Sequence, residues 1–209
     1  METRRKRIGI MGGTFDPIHI GHLILGERTY EQLNLDKIQF MPAGNPPHKQ
    51  NRVGRATDAQ RVAMVERAIS GNPHFELSLI EMNDKGFTYT YHTLETLKEQ
   101  NPDTDYYFII GADSLFALDE WKEPARICHA CTLVVAVRDH ASFDELKREI
   151  DRLSAKYNGH FTILDTMNID VSSHQIRQWI SEDKSLKYYI PDCVISYMKE
   201  NGIYRKKEI

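Results

Sequence analysis

The chain has 209 residues, of which 41% are hydrophobic and 27% charged, with a net charge of −3. This length and composition indicate one ordinary globular domain with a full core. The small negative charge excludes general binding of polyanions such as nucleic acid, so any phosphate recognition must be local. No apolar run reaches the ~20 residues of a membrane helix, and the basic residues 1–7 lead straight into a strand, unlike a signal peptide. We therefore expect no membrane partner and a cytoplasmic location.

Short apolar strands alternate with helices along the chain. The predicted strands are Arg7–Met11, Lys37–Met41, Phe75–Ile80, Asp105–Ile110, Thr132–Val137 and Phe161–Leu164. The predicted helices open at His19 and at the capping box Ser142–Glu145, and otherwise span Asp58–Ser70, Thr90–Gln100, Ser114–Leu118, Ser173–Ile180 and Asp192–Asn201. Apolar strands alternating with helices imply a parallel sheet that is covered on both faces.

The fold class is therefore α/β, a Rossmann-like doubly wound parallel sheet with a small C-terminal helical portion. We expect a single domain over residues 1–209, with an α/β core at 7–165 and the helical portion at 166–209. Ligands of such folds bind beyond the carboxyl ends of the strands. The loops near Gly12, Gly44, Gly111 and Ser172 are expected to converge there.

The first of these loops has the composition of a phosphate site. Gly12-Gly13 is expected to break the first strand and to let a ligand approach the backbone, and the following helix start offers N–H groups. His19 and His22 lie on one face of that helix's first turn, where imidazole can donate to phosphate oxygens. Two histidines that only pack in the core, or a zinc pair lacking a nearby third ligand, are the alternatives.

Three further loops carry candidate binding groups. His48-Lys49 follows the second strand and can clamp an anion, or Lys49 is simply a solvated surface residue. Trp121 lies in a loop and can stack on a flat ring. Ser172-Ser173 caps a helix, and Arg177 lies one turn inside it, so together they can clamp a triphosphate, although two serines often only cap.

The pair Cys128 and Cys131 has the Cys-x-x-Cys spacing of redox and metal sites. No second pair accompanies it, and three cysteines do not make a disulfide framework. Two thiols packed at a helix–strand junction are therefore the default interpretation.

The segment Gly12–His22 resembles the His-x-Gly-His signature of the nucleotidyltransferases, and more narrowly that of the bacterial nicotinate mononucleotide adenylyltransferases. The likeness extends from about Arg7 to Tyr204 and includes a Pro-Pro-His-Lys loop and a Ser-Ser-x-x-Ile-Arg motif. The chain departs from the family pattern at His174, where threonine is common, and near Ala117, where relatives often carry a tyrosine. No role is assigned to His174.

The resemblance implies transfer of AMP from ATP to nicotinate mononucleotide, giving nicotinate adenine dinucleotide and pyrophosphate, with Mg²⁺ bound to ATP. It implies catalytic roles for His19, His22 and Arg177. The implied ATP-binding residues are Gly12, Gly13, Thr14, Phe15, His19, His22, Gly111, Asp113, Ser172, Ser173, Ile176 and Arg177. The implied contacts to the mononucleotide come from His48, Lys49, Thr90 and Trp121. No side chain is assigned as a metal ligand, and a homodimer is a further expectation.

Three alternative functions remain open at this point. The first is the same chemistry on nicotinamide mononucleotide or phosphopantetheine. Tight selection for the carboxylate form of the substrate is expected to come from the backbone N–H groups around Thr90. The second is a non-enzymatic nucleotide sensor on the same fold, and the third is a metal-dependent hydrolase that uses the histidine pair.

Overall fold

Six strands form one sheet in which every neighbouring pair is parallel. The computed structural model of the chain describes residues 4–45, 54–82, 86–137, 143–167 and 169–204. The strands are β1 (Lys6–Gly13), β2 (Lys37–Pro42), β3 (Phe75–Leu77), β4 (Thr104–Gly111), β5 (Thr132–Ala136) and β6 (His160–Leu164). Their order across the sheet is β3-β2-β1-β4-β5-β6, so the chain reverses direction of winding next to β1. The predicted doubly wound parallel sheet is confirmed.

Helices cover both faces of this sheet, as predicted. They are α1 (Ile20–Gln32), α2 (Asp58–Ile69), α3 (Thr90–Gln100), α4 (Ala112–Phe116), α5 (Pro124–Ala130), α6 (Phe143–Tyr157), α7 (Ser173–Ser181) and α8 (Asp192–Glu200), with a 3₁₀ turn at Leu118–Glu120. Alternate residues of each central strand point to opposite faces. Met11 therefore joins a core with residues of α2, α7 and α8, whereas Ile8 and Ile10 join a second core with residues of α3, α5 and α6.

Two strand boundaries differ from the prediction. β1 continues through Gly12 and Gly13, which pair with Met41 and Pro42, so the glycines do not break the strand. β3 ends at Leu77, short of the predicted Ile80. The Ser78 N–H still bonds to the Phe40 carbonyl, but the next donor along β2 would be Pro42, which has no N–H. The ladder between these two strands therefore stops there.

The helices predicted to begin at Thr90, Ser173 and Asp192 begin there, and His19 is the N-cap of α1. The capping box at Thr57 is confirmed, since its Oγ1 accepts the Gln60 N–H at 3.2 Å and the Gln60 side chain accepts the Thr57 N–H at 2.9 Å. The short helix predicted at Ser114–Leu118 instead begins at Ala112 and is followed by the 3₁₀ turn. Ser142 of the second capping box lies outside the described residues.

The C-terminal helices pack into the same core as the sheet. Ile176 of α7, Val194 and Met198 of α8, and Ile203 are all buried against the cluster that contains Met11. The division of the domain into an α/β core and a helical portion between residues 165 and 166 stays a prediction. Across the described parts of the chain, no helix has both the length and the apolar character that a membrane span requires.

Candidate active site

A cavity of about 870 Å³ opens at the carboxyl ends of β1, β2 and β4. Its volume lies in the range typical of small-ligand sites. Its lining includes the predicted site residues Gly12, Gly13, Thr14, Thr90 and Trp121. Residues from the glycine loop after β1 and from the loop that carries Trp121 therefore meet in one place.

The glycines at the end of β1 make the floor of this cavity. A Cβ atom on Gly12 would lie 3.2 Å from Cε2 of Phe108, and one on Gly13 would lie 3.0 Å from Cε1 of Phe15. Phe108 in turn meets Trp121 edge to face, with ring centroids 6.4 Å apart and an interplanar angle of 79°. A side chain at Gly12 would therefore push on the aromatic pair that forms the cavity wall.

Another part of the cavity wall is the start of α3. Tyr89 is its N-cap residue and Thr90 its first residue, and both line the cavity. The first N–H groups of a helix have no intrahelical acceptor, so the start of α3 has backbone donors to offer a ligand. Glu81 also lines the cavity, and its carboxylate accepts the Thr93 hydroxyl at 2.9 Å and the Gly44 N–H at 3.3 Å.

The two histidines stack at the start of α1. Their ring centroids are 3.7 Å apart with an interplanar angle of 30°, and the His19 backbone N–H donates to Nδ1 of His22 at 3.2 Å. Since Nδ1 of His22 accepts this bond, the neutral ring carries its hydrogen on Nε2 and presents it as a donor. Stacked rings do not converge their nitrogens on one point, which favours an anion over a zinc ion.

The serine–arginine turn lies directly against the loop that carries these histidines. Ser172 caps α7 by accepting the Gln175 N–H at 3.2 Å. The Ser173 hydroxyl donates to the Pro17 carbonyl at 2.8 Å, and Nη1 of Arg177 donates to the Asp16 carbonyl at 2.5 Å. The turn and the imidazole pair therefore share one end of the sheet.

Comparison with known proteins places the chain in a family. A model described as cytidylyltransferase-like matches residues 10–179. A protein of Lachnoclostridium phytofermentans, named a probable nicotinate-nucleotide adenylyltransferase, is 40% identical over 199 residues, covering 95% of this chain and 99% of its own. The chain belongs to the nicotinate-nucleotide adenylyltransferase family. A Clostridium botulinum (strain Eklund 17B) protein of the same name is 39% identical over 203 residues, covering 97% of this chain and 100% of its own.

Solved structures agree with this family in fold. The nicotinic acid mononucleotide adenylyltransferase of Plasmodium falciparum, complexed with NaAD, aligns with a TM-score of 0.77 at 21% identity, covering 95% of this chain and 97% of that one. The same protein complexed with APC aligns with a TM-score of 0.75.

In this adenylyltransferase-family chain, the remaining predicted ATP residues do not line this cavity, and His19 and His22 line a separate, much smaller one beside Val171. Phe15 and Ile176 are almost wholly buried, at 1% and 0% exposed. Gly111 ends β4, where a Cβ atom would lie 2.5 Å from Oδ1 of Asp113. His48 and Lys49 lie outside the described residues. The roles of all these residues stay predictions.

Asp16 is a central residue of this family member that the sequence did not single out. Its side chain is 1% exposed. Its Oδ1 accepts the Ala56 N–H at 3.0 Å and the Tyr204 hydroxyl at 2.7 Å, and its Oδ2 lies 3.3 Å from Arg55 and 3.7 Å from Arg177. Burial, together with the Asp16 charge, raises the pKa of Tyr204 well above its ordinary value. Asp16 thus joins the signature loop, the entry to α2 and the C-terminal segment.

Arg61 is the second residue that the sequence did not indicate. Its buried guanidinium donates to the carbonyls of Thr14 at 2.6 Å and Ala43 at 2.8 Å, and to Asp58 at 2.9 Å. It therefore ties together the loops that follow β1 and β2. One signal could have found it, because Arg61 falls on the apolar face of α2 in register with Met64 and Val65.

The cysteine pair is structural. Cys128 lies in α5 and Cys131 follows the helix just before β5, and both are buried. Burial raises the pKa of Cys128 to about 11 and that of Cys131 to about 12, so both thiols stay protonated near neutral pH. The predicted packing at a helix–strand junction is confirmed.

Proposed function

We propose that the chain transfers AMP from ATP to nicotinate mononucleotide, releasing pyrophosphate and forming nicotinate adenine dinucleotide for NAD biosynthesis. One observation carries the proposal. The loop from Gly12 to His22 runs from the floor of a cavity walled by Trp121 and α3 to an imidazole pair packed against the serine–arginine turn. A pyridine ring and a triphosphate can therefore be held next to each other.

The reaction is a direct in-line displacement. A phosphate oxygen of the mononucleotide attacks the α-phosphorus of ATP, and the bond from that phosphorus to the bridging oxygen of the β-phosphate breaks. Negative charge grows on the transferring group and on the leaving pyrophosphate. No step requires a covalent bond to the protein, so positioning and charge stabilisation supply the catalysis.

His22 and Arg177 provide that stabilisation. Because the His19 N–H occupies Nδ1 of His22, the ring donates its Nε2 hydrogen to a phosphate oxygen without changing its protonation state. The contacts of Arg177 within the described residues use Nη1 alone, which leaves the rest of its planar fork for phosphate oxygens. Ser173 donates its only hydroxyl hydrogen to the Pro17 carbonyl, so its side chain supports the turn. Its contact with phosphate comes from its backbone N–H, at the start of α7.

A Mg²⁺ ion would be bound through ATP rather than by a metal site of the protein. No group of three His, Cys, Asp or Glu side chains within the described residues could hold a metal ion. The donors around the signature loop are N–H groups, which suit phosphate oxygens and leave the ion to the phosphates and water. When bound, the ion neutralises charge on the leaving pyrophosphate.

Selection of the acceptor rests on the cavity wall. Trp121 stacks against the flat pyridine ring, and the N–H groups at Thr90 face its substituent. A carboxylate accepts such bonds twice, whereas a carboxamide presents its own N–H groups to them. Nicotinate is therefore preferred over nicotinamide.

The test is a comparison of acceptors with purified protein and Mg-ATP. Pyrophosphate release is measured with nicotinate mononucleotide, nicotinamide mononucleotide and phosphopantetheine in parallel. We expect kcat/KM to be at least about tenfold higher for the nicotinate form, as one differential charge-assisted hydrogen bond implies. Release with phosphopantetheine alone, or with no acceptor, would contradict the proposal.

A further inference from the structure

Trp121 stands on a piece of chain that has little regular structure of its own. It follows the single 3₁₀ turn Leu118–Glu120, and its N–H bonds to the Leu118 carbonyl at 3.1 Å. Just beyond it, Glu123 adopts a left-handed backbone with φ of 55° before α5 begins at Pro124. The hydrogen bonds of 3₁₀ turns have poor geometry, so they are a weak basis for holding a large ring in place.

Besides the packing of the Trp121 ring against Phe108, two contacts hold the 3₁₀ turn itself, one on each side. Leu118 is fully buried in the core that contains Leu115 and Ile127. Its neighbour Asp119 points the other way and meets α6, a helix of 15 residues that packs against α4 and α5. The turn is therefore held between a core residue and a surface carboxylate.

The Asp119 carboxylate receives three donors from one face of α6. The Tyr157 hydroxyl donates to Oδ1 at 2.5 Å, and Nζ of Lys156 lies 3.1 Å from the same oxygen. Nη2 of Arg152 donates to Oδ2 at 3.0 Å. Arg152 is itself oriented by two bonds to Glu149, at 2.6 and 2.8 Å.

This arrangement keeps the carboxylate charged. Hydrogen bonding from Tyr157 first, and then from Lys156 and Arg152, lowers the pKa of Asp119 from 3.8 to about 2. Asp119 is one third exposed, so each of its contacts taken alone is weak. Three contacts on both oxygens, from a rigid helix, fix the direction of the carboxylate more firmly than any one of them.

We propose that Asp119 is a positioning residue for mononucleotide binding: by tying the 3₁₀ turn to α6, it fixes the place and angle of the Trp121 ring. Asp119 itself does not line the cavity, whereas Trp121 does. The proposal rests on the proposed function for the identity of the bound ring, but the anchoring of Trp121 can be measured without any substrate.

The first experiment reports on the anchor alone. The chain has two tryptophans, so Trp179→Phe leaves Trp121 as the sole indole. In that background Asp119→Asn is expected to raise acrylamide quenching of Trp121 fluorescence, because the ring gains freedom. Tyr157→Phe, which removes one hydroxyl and no charge, is expected to raise it less. Asp192→Asn, which alters an exposed ion pair with Lys187, is the matched control and should leave quenching unchanged.

The second experiment reports on substrate binding in the otherwise unchanged chain. Asp119→Asn is expected to raise KM for nicotinate mononucleotide about three- to tenfold, with kcat and KM for ATP within about twofold and a melting temperature equal to that of Asp192→Asn. Unchanged quenching, or an equal rise of both KM values, would overturn the proposal. No turnover by the parent protein would contradict the proposed function, while the quenching comparison would still decide the anchor.

Discussion

Replacing Asp16 by asparagine should destabilise the protein far more than the same change on its surface. The substitution keeps the shape of the side chain and removes its charge. If the amide nitrogen of the asparagine takes the place of Oδ2, its N–H group faces the N–H groups of Arg55 at 3.3 Å and Arg177 at 3.7 Å, where no hydrogen bond can form. With the amide turned over, its N–H group faces the Ala56 N–H, so that bond is lost, and the Tyr204 hydroxyl has to turn round and accept.

The magnitude follows from what each orientation loses. Loss of one charge-assisted hydrogen bond costs about 1.5–3 kcal/mol, and breaking a fully buried ion pair costs about 3–5 kcal/mol. The two guanidinium groups keep some solvent, since the Arg55 and Arg177 side chains are 34% and 18% exposed. We therefore expect a loss of about 2–4 kcal/mol, a large part of the ~5–15 kcal/mol that stabilises a typical domain.

The assay is urea unfolding followed by circular dichroism, with Asp105→Asn as the control. Asp105 also faces two cations, Arg5 at 2.8 Å and Lys98 at 3.8 Å, but its side chain is 43% exposed. Its replacement should cost less than about 1 kcal/mol. If Asp16→Asn lost no more stability than Asp105→Asn, the role given to Asp16 would be refuted.

Four further predictions concern the histidine pair and the thiols. His22→Ala should lower kcat about 10²- to 10³-fold, and a fully active variant would remove its assigned role. Its melting temperature should fall by only a few degrees, since the change also removes the acceptor of the His19 N–H and a ring contact with Phe15. Gly21→Ala places a Cβ atom 3.1 Å from the His19 ring and should lower kcat at least about tenfold, whereas Gly71→Ala meets nothing within 4 Å and should not. Exposed Cys193 should react with Ellman's reagent at pH 8 while both buried thiols do not. Three fast-reacting thiols would contradict the burial of Cys128 and Cys131. Because the pKa values of these two thiols lie above the ordinary 9.0, they ionise at lower pH in the unfolded chain than in the folded one, so the free energy of unfolding should fall as the pH rises above about 9.

The elements that the sequence predicted well are those with local causes. Apolar runs such as Asp105–Ile110 identify buried strands, and a capping box such as that at Thr57 fixes a helix start from adjacent residues. The early end of β3 could not be read locally, because its cause is Pro42 on the neighbouring strand. Pairing that depends on a residue of another strand is visible only once the sheet order is known.

The candidate site divides in the same way. The signature loop, Trp121 and the serine–arginine turn were predicted from short motifs, and the structure brings them to one end of the sheet. The role of Asp16 was missed because the partners of its side chain lie far away in sequence, at Arg55 and Tyr204 among others. Long-range polar contacts of this kind leave no periodic pattern in the sequence.

The signature loop is expected to hold nucleotide phosphates beside a flat ring, and a crystal structure with nicotinate adenine dinucleotide would locate both groups. We expect the pyridine ring against Trp121 and the start of α3, with the pyrophosphate within hydrogen-bond distance of Nε2 of His22. A dinucleotide bound with its ring away from Trp121, or with its phosphates away from the imidazole pair, would contradict the account.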